Sequence, residues 1–138
     1  RSSSRSDIVT APGLTYIASP YSSPDPAVRE DRFRRVCVAA AALMREGHHV
    51  YSPIAHSHPI AQMGELPTDF AFWRAYDEAM ISRCSAVWVL TLPGWSESVG
   101  VREEIAIARR LGIPVRFVED TSARLVADLA AEREAVRA

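Results

Sequence analysis

The chain alternates two kinds of apolar pattern, and that alternation restricts its fold more than any other feature. Short β-prone runs, "LTYIAS", "HVYSPI", "AVWVLTL" and "IPVRFV", are separated by segments whose apolar residues recur at helical spacing. Strands that alternate with helices require right-handed crossovers, which place helices on both faces of a parallel sheet. The expected fold is therefore α/β, a flavodoxin-like or Rossmann-like three-layer sandwich with a mostly parallel sheet of about four to five strands. The 138 residues suffice for one such domain. It is expected over 14–138, after a polar stretch, "RSSSRSDIVTAPG" over 1–13, that reads as a flexible tail.

Several helix ends are legible. Asp25 is placed to cap a helix that starts at Pro26, and Gly47 to close it, with Val28, Phe33, Val36, Ala40, Leu43 and Met44 as the apolar stripe. "AHSHPIAQMGELPT" reads as an irregular stretch before the helix "DFAFWRAYDEAMISRC". The turn "PGWSES" enters the helix "VGVREEIAIARRLG", and a last amphipathic helix is expected from about Thr121. Ligands of such sheets bind at the carboxyl ends of the strands, which gathers "SPYSS", "SPIAHSH" and "PGWSES" in one place.

Composition narrows the function classes. A formal net charge of -1 lacks the basic footprint of a nucleic-acid or anionic-membrane binder. No run approaches the ~18 apolar residues of a membrane span, and no signal-peptide pattern follows the start, so a cytoplasmic location is expected. Cys37 and Cys84 stand alone and read as packing thiols. The phosphate-loop, dinucleotide-binding and nucleophile-elbow motifs are all missing. His56 and His58 form an HSH pair without further ligands, so no metal or other cofactor is expected; they read as loop histidines that face a substrate or solvent.

Helical phase singles out two acids. Around the helix "VGVREEIAIARRLG", Val101, Ile105, Ala108 and Leu111 define the expected core-facing arc, with Arg102, Glu103, Arg109 and Arg110 opposite. Glu104 falls within that arc, about 50° from its centre at 100° per residue. A carboxylate there needs a partner or a task, although complementing the helix dipole is an ordinary alternative. Asp77 behaves similarly, grouped with Trp73, Met80, Ile81 and Cys84, and a buried hydrogen-bonding role is its alternative. Ser98 is placed to cap the helix of Glu104, and capping explains it as well as ligand binding does. Ser19, Tyr21, Ser22 and Ser23 form a hydroxyl-rich loop before a helix, fit for turns or for an anion cradle, and Tyr16 lies in a strand where core packing is its ordinary role.

"YIASPY", an acid in the helix before "AVWVL", and S-x-G-x-x-x-E followed by "IAIARRLGIPV" resemble the nucleoside 2-deoxyribosyltransferase superfamily. "YSPIAHSHPIAQMG", "FWRAYDEAM" and "GWSESVGVREEIAIARRLGIPV" are similar to a branch long described only as a domain of unknown function. The resemblance runs from about Leu14 to Val118 and implies cleavage of the N-glycosidic bond between a base and a (deoxy)ribose. It places the nucleophile on Glu104, the base-contacting acid on Asp77 and the tyrosine that orients the nucleophile on Tyr16. Ser19, Tyr21, His56, Trp73, Ser98 and Gly100 join as candidate substrate contacts. Ser98 stands where free-nucleoside transferases carry an acid for the sugar 5′-hydroxyl, and so resembles the nucleoside 5′-monophosphate N-glycosidases, in which a serine binds phosphate. The arginine those hydrolases use in the first loop is missing from "SPYSS"; Arg29, Arg32, Arg102 or a neighbouring subunit are the substitutes. Hydrolysis of a nucleotide or nucleoside is slightly favoured over 2-deoxyribosyl transfer between bases. A non-catalytic nucleotide-binding module and an interaction domain are the competing classes. A homodimer or larger homo-oligomer is expected, because superfamily members commonly complete the site across an interface.

Overall fold

A computed structural model describes residues 13–119. The expected tail, Gly13 apart, and the expected helix from about Thr121 lie outside the described residues. Strand β1 (Leu14–Ala18) is followed by α1 (Pro26–Arg45), β2 (His49–Tyr51), α2 (Pro53–Gly64) and α3 (Phe70–Ile81). Then come β3 (Ala86–Thr91), a 3-10 turn at Trp95–Glu97, α4 (Val99–Arg110) and β4 (Val115–Glu119). The four strands pair in parallel in the order β2-β1-β3-β4. The chain moves outward from β1 to β2, then returns to β3 on the other side, so the strand order reverses between β1 and β3. Crossovers leave that point in opposite directions, which opens a crevice at the carboxyl ends of these strands.

Both faces of the sheet are covered, as the alternation of side chains requires. Tyr16, Ala18, Val87 and Val89 pack on one side with Ile81, Val101, Ile107 and Ala108 from α3 and α4. Ile17, Leu90 and Leu92 pack on the other with Val36, Ala39 and Ala40 of α1, joined by Val50 and Ile54. Each fully buried aliphatic side chain contributes roughly 1.5–3 kcal/mol. The flavodoxin-like α/β sandwich is the observed architecture. No helix among the described residues is long and apolar enough to cross a membrane.

Asp25 caps α1, accepting the Ala27 N–H at 2.9 Å, and Gly47 follows its end at φ 94°. Met44, expected in the apolar stripe, is instead 56% exposed, because the buried line of α1 runs through Val36, Ala39 and Ala40. Leu111, expected in the core arc of α4, is exposed at the helix end.

The largest departure is α2, a twelve-residue helix where an irregular stretch was expected. Ser52 caps it, its Oγ accepting from Ala55 at 3.1 Å, and Pro53 occupies the first turn, where a missing N–H costs nothing. Pro59 lies inside the helix on an exposed face. Its apolar stripe is hard to read because two of its inward residues, Ser57 and His58, are polar.

Replacing Ser52 with Ala removes this cap. The expected loss is about 1 kcal/mol of unfolding free energy, read from the denaturant midpoint at unchanged slope.

Candidate active site

Strand alternation sends Tyr16 of β1 towards α4, where its hydroxyl donates to Glu104 Oε2 at 2.5 Å. Tyr16 is 0% exposed and Glu104 4%. The buried positions of α4 are Val101, Glu104, Ile107 and Ala108, so Glu104 lies at the middle of the buried arc rather than off its centre. The shift follows from Ile107 facing the sheet in place of Leu111. Glu103, one residue earlier and about 100° around the helix, leaves the core and pairs with Arg74.

Asp77 of α3 is 6% exposed and lies close enough to act on both groups. Burial holds the Glu104 carboxyl well above the usual carboxylate range; the Tyr16 hydrogen bond opposes that rise, and the Asp77 charge adds to it. Burial likewise pushes Asp77 up to about 7, with the Tyr16 hydroxyl pulling the other way. Tyr16 itself is raised by burial first, then by the Glu104 and Asp77 charges. The same burial thus raises both acids.

A cleft lies at the reversal point of the sheet and encloses about 560 Å³ with its open mouth included. Ser19 and Tyr21 after β1, His58 of α2, Trp73 and Asp77 of α3, and Ser98, Gly100 and Glu104 around the start of α4 all line it. Tyr16 sits behind this lining and reaches it through Glu104. Among the described residues, Ser19 Oγ and Asp77 Oδ1 are buried without a hydrogen-bond partner. Each such vacancy costs about 1–3 kcal/mol, which a polar ligand in the cleft would relieve.

Ser98 is the N-cap of α4, accepting the Val101 N–H at 3.2 Å while it faces the cleft, so its capping and lining roles coexist. A second opening continues past Ser98 and Gly100 and is lined by Arg32, Arg74, Asp69, Glu97 and Glu103. Arg32 reaches it because Gly94 has no side chain: a Cβ there would stand 2.7 Å from Arg32 Nη2, at a φ of 90° that already favours glycine. No carboxylate pairs with Arg32 among the described residues, and its Nη1 donates to the Ser22 carbonyl at 3.0 Å. Arg29 instead donates to the Ser23 carbonyl, and Arg102 lines neither opening.

His56 is the sequence candidate that the structure leaves out of the cleft. It stacks on Tyr76 with ring centroids 5.8 Å apart, while His58, two residues on and about 200° around α2, takes the inward position. The sequence offered both histidines as facing a substrate or solvent but, with the segment read as a loop, singled out His56 as the contact. The Ser52-Pro53 start signal would have placed Ile54, His58 and Ala61 on one helical face. Among the described residues, no group of three or more potential metal ligands is assembled.

The raised carboxyls set the direction of a pH effect. Above the unfolded-state range near pH 4, the unfolded chain loses the Asp77 proton while the native state keeps it up to about pH 7. Native stability therefore falls as pH rises through that window. Asp77→Asn is expected to raise stability at pH 8 by on the order of 2 kcal/mol, with a much smaller gain at pH 4, measured by denaturant unfolding.

No curated protein matches the chain. A family model does, over residues 13–120, a span that takes in all four strands and the whole cleft. The chain belongs to that family, which is described as Domain of unknown function (DUF1937).

Proposed function

We propose that the protein cleaves the N-glycosidic bond of a nucleoside or nucleoside 5′-monophosphate, with Glu104 as the nucleophile and water as the favoured acceptor. The observation that carries this reading is a pair of buried carboxylates in one cleft, Glu104 held by Tyr16 and Asp77 with an oxygen unpartnered. Buried acids without cationic partners are costly to keep, and they gain a use where positive charge develops. The oxocarbenium-like transition state of glycosyl transfer supplies that charge.

In the first step Glu104 Oε1 or Oε2 forms a bond to the anomeric carbon as the carbon–nitrogen bond breaks. The bonding pair leaves with the base, whose nitrogen takes a proton from Asp77. Burial raises Asp77 to about 7, which suits it to give that proton to the departing base. In the second step Asp77, now ionised, removes a proton from water. The oxygen attacks the anomeric carbon and frees Glu104, so two displacements give net retention. The Tyr16 hydrogen bond offsets part of the cost of ionising Glu104 and fixes its rotamer.

A phosphate is favoured at Ser98, where the free N–H groups at the start of α4 and the Arg32 guanidinium in the adjoining opening support it. A homodimer belongs to the same proposal. Exposed apolar side chains, Ile60 and Met63 on α2 and Phe72 and Tyr76 on α3, support it, and sedimentation equilibrium measures it.

The test is incubation with a panel of nucleosides and 5′-monophosphates, with and without a second base, followed by chromatography. Glu104→Ala is expected to lower base release by more than about a thousandfold while the protein stays folded. Turnover retained in that variant overturns the assignment. Ser98→Asp keeps a good helix cap yet repels phosphate, so KM is expected to rise more than about tenfold for monophosphates and to change little for nucleosides.

A further inference from the structure

A second polar assembly faces the same cleft and has no part in the steps above. His58 is 4% exposed, clamped by Phe33, which stacks on its ring at a centroid distance of 4.2 Å. Its Nε2 is 3.0 Å from Glu30 Oε1 and its Nδ1 is 2.7 Å from the Tyr21 hydroxyl. Glu30 comes from α1, Tyr21 from the loop after β1 and His58 from α2, so three segments converge on one imidazole. Tyr21 and His58 both line the cleft.

The chemistry of these groups leaves one arrangement of protons. Glu30, also paired with Arg34 at 2.9 Å, is held below the usual carboxylate range by its hydrogen bond to His58 and therefore only accepts. The proton between Glu30 and His58 then belongs to Nε2. In an uncharged imidazole the other nitrogen, Nδ1, is an acceptor, so the Tyr21 O–H must donate to it. Arg29 lies beside the Tyr21 hydroxyl and offers only donors, which requires the tyrosine oxygen as an acceptor as well. The remaining lone pair is all that Tyr21 can present to a ligand.

We propose that Glu30 and His58 fix the polarity of the Tyr21 hydroxyl, making Tyr21 a specificity-determining residue. While His58 is uncharged, Tyr21 accepts from ligands that present a hydrogen-bond donor, a sugar hydroxyl or an N–H of a base, and disfavours an anion. The groups that face the imidazole or its partners are Glu30, Arg29 and Arg34 from α1, with Cys37 near Glu30, Tyr21 from the loop, and Asp77 and Glu104 across the cleft. Only the identity of the ligand rests on the nucleoside reading; the polarity of Tyr21 does not.

The experiment reads the imidazole nitrogens by long-range proton–nitrogen NMR in the intact chain, with His58 assigned by loss of its signals in His58→Gln. Uncharged His58 is expected as the Nε2–H tautomer, a bias that Glu30→Ala erodes. Wild type, Glu30→Ala and Tyr21→Phe are then compared on the nucleoside panel. Tyr21→Phe is expected to raise KM about five- to tenfold with kcat within about twofold, the cost of one lost ligand hydrogen bond. A mere packing role would shift neither the tautomer nor KM alone. The Nδ1–H tautomer in wild type, or an unchanged KM in folded Tyr21→Phe, overturns the proposal. If no nucleoside binds or turns over, the N-glycosidase reading fails alone and the wild-type tautomer still decides the polarity. The same measurement decides it if Tyr21→Phe does not fold.

Discussion

The contact between the Tyr16 hydroxyl and Glu104 holds the site in place, and the rest of the arrangement depends on it. It joins the central strand to the helix that crosses over to the sheet edge, across the point where the strand order reverses. A carboxylate at the middle of a buried helical arc would otherwise be an unpartnered acid in an apolar layer. The phenol offers one hydrogen bond and no positive charge, so burial still holds the Glu104 carboxyl well above the usual carboxylate range. An arginine in that place would have stabilised the anion more strongly and pulled the carboxyl down.

That restraint shapes everything nearby. Asp77 lies close enough to act on Tyr16 and Glu104, and burial raises its carboxyl too. Ser19 Oγ and Asp77 Oδ1 stay buried at the cleft without a partner. The Glu30–His58–Tyr21 assembly, also at the cleft, is by contrast matched internally by groups from three segments.

Much of this was legible in the residues. The alternation of strand and helix patterns specified a parallel sheet, and helical phase alone separated Glu104 from Glu103 and picked out Asp77. Ser98 was readable as a cap because N-cap chemistry is local. What could not be read were pairings between segments, since nothing in the chain around Glu30 announces a histidine 28 residues away. The helix α2 was hidden for a different reason: Pro59 and two inward polar residues disguise its stripe, although its cap was in plain view. That error left the facing of His56 and His58 undecided and singled out His56 as the contact. Of Arg29, Arg32 and Arg102, Arg32 lines an opening beside Ser98, a placement that depends on Gly94 from a distant loop.

Tyr16 and Glu104 are 88 positions apart, and the other cleft walls come from segments spread between them. Closing so long a loop is entropically slow, and in parallel sheets such non-local pairings form late in folding. A partly folded chain that has built only β1, α1 and β2 would contain the tyrosine and no acid to hold. The pairing is thus tied to completion: the buried acid reaches its partner only when the far end of the sheet has closed.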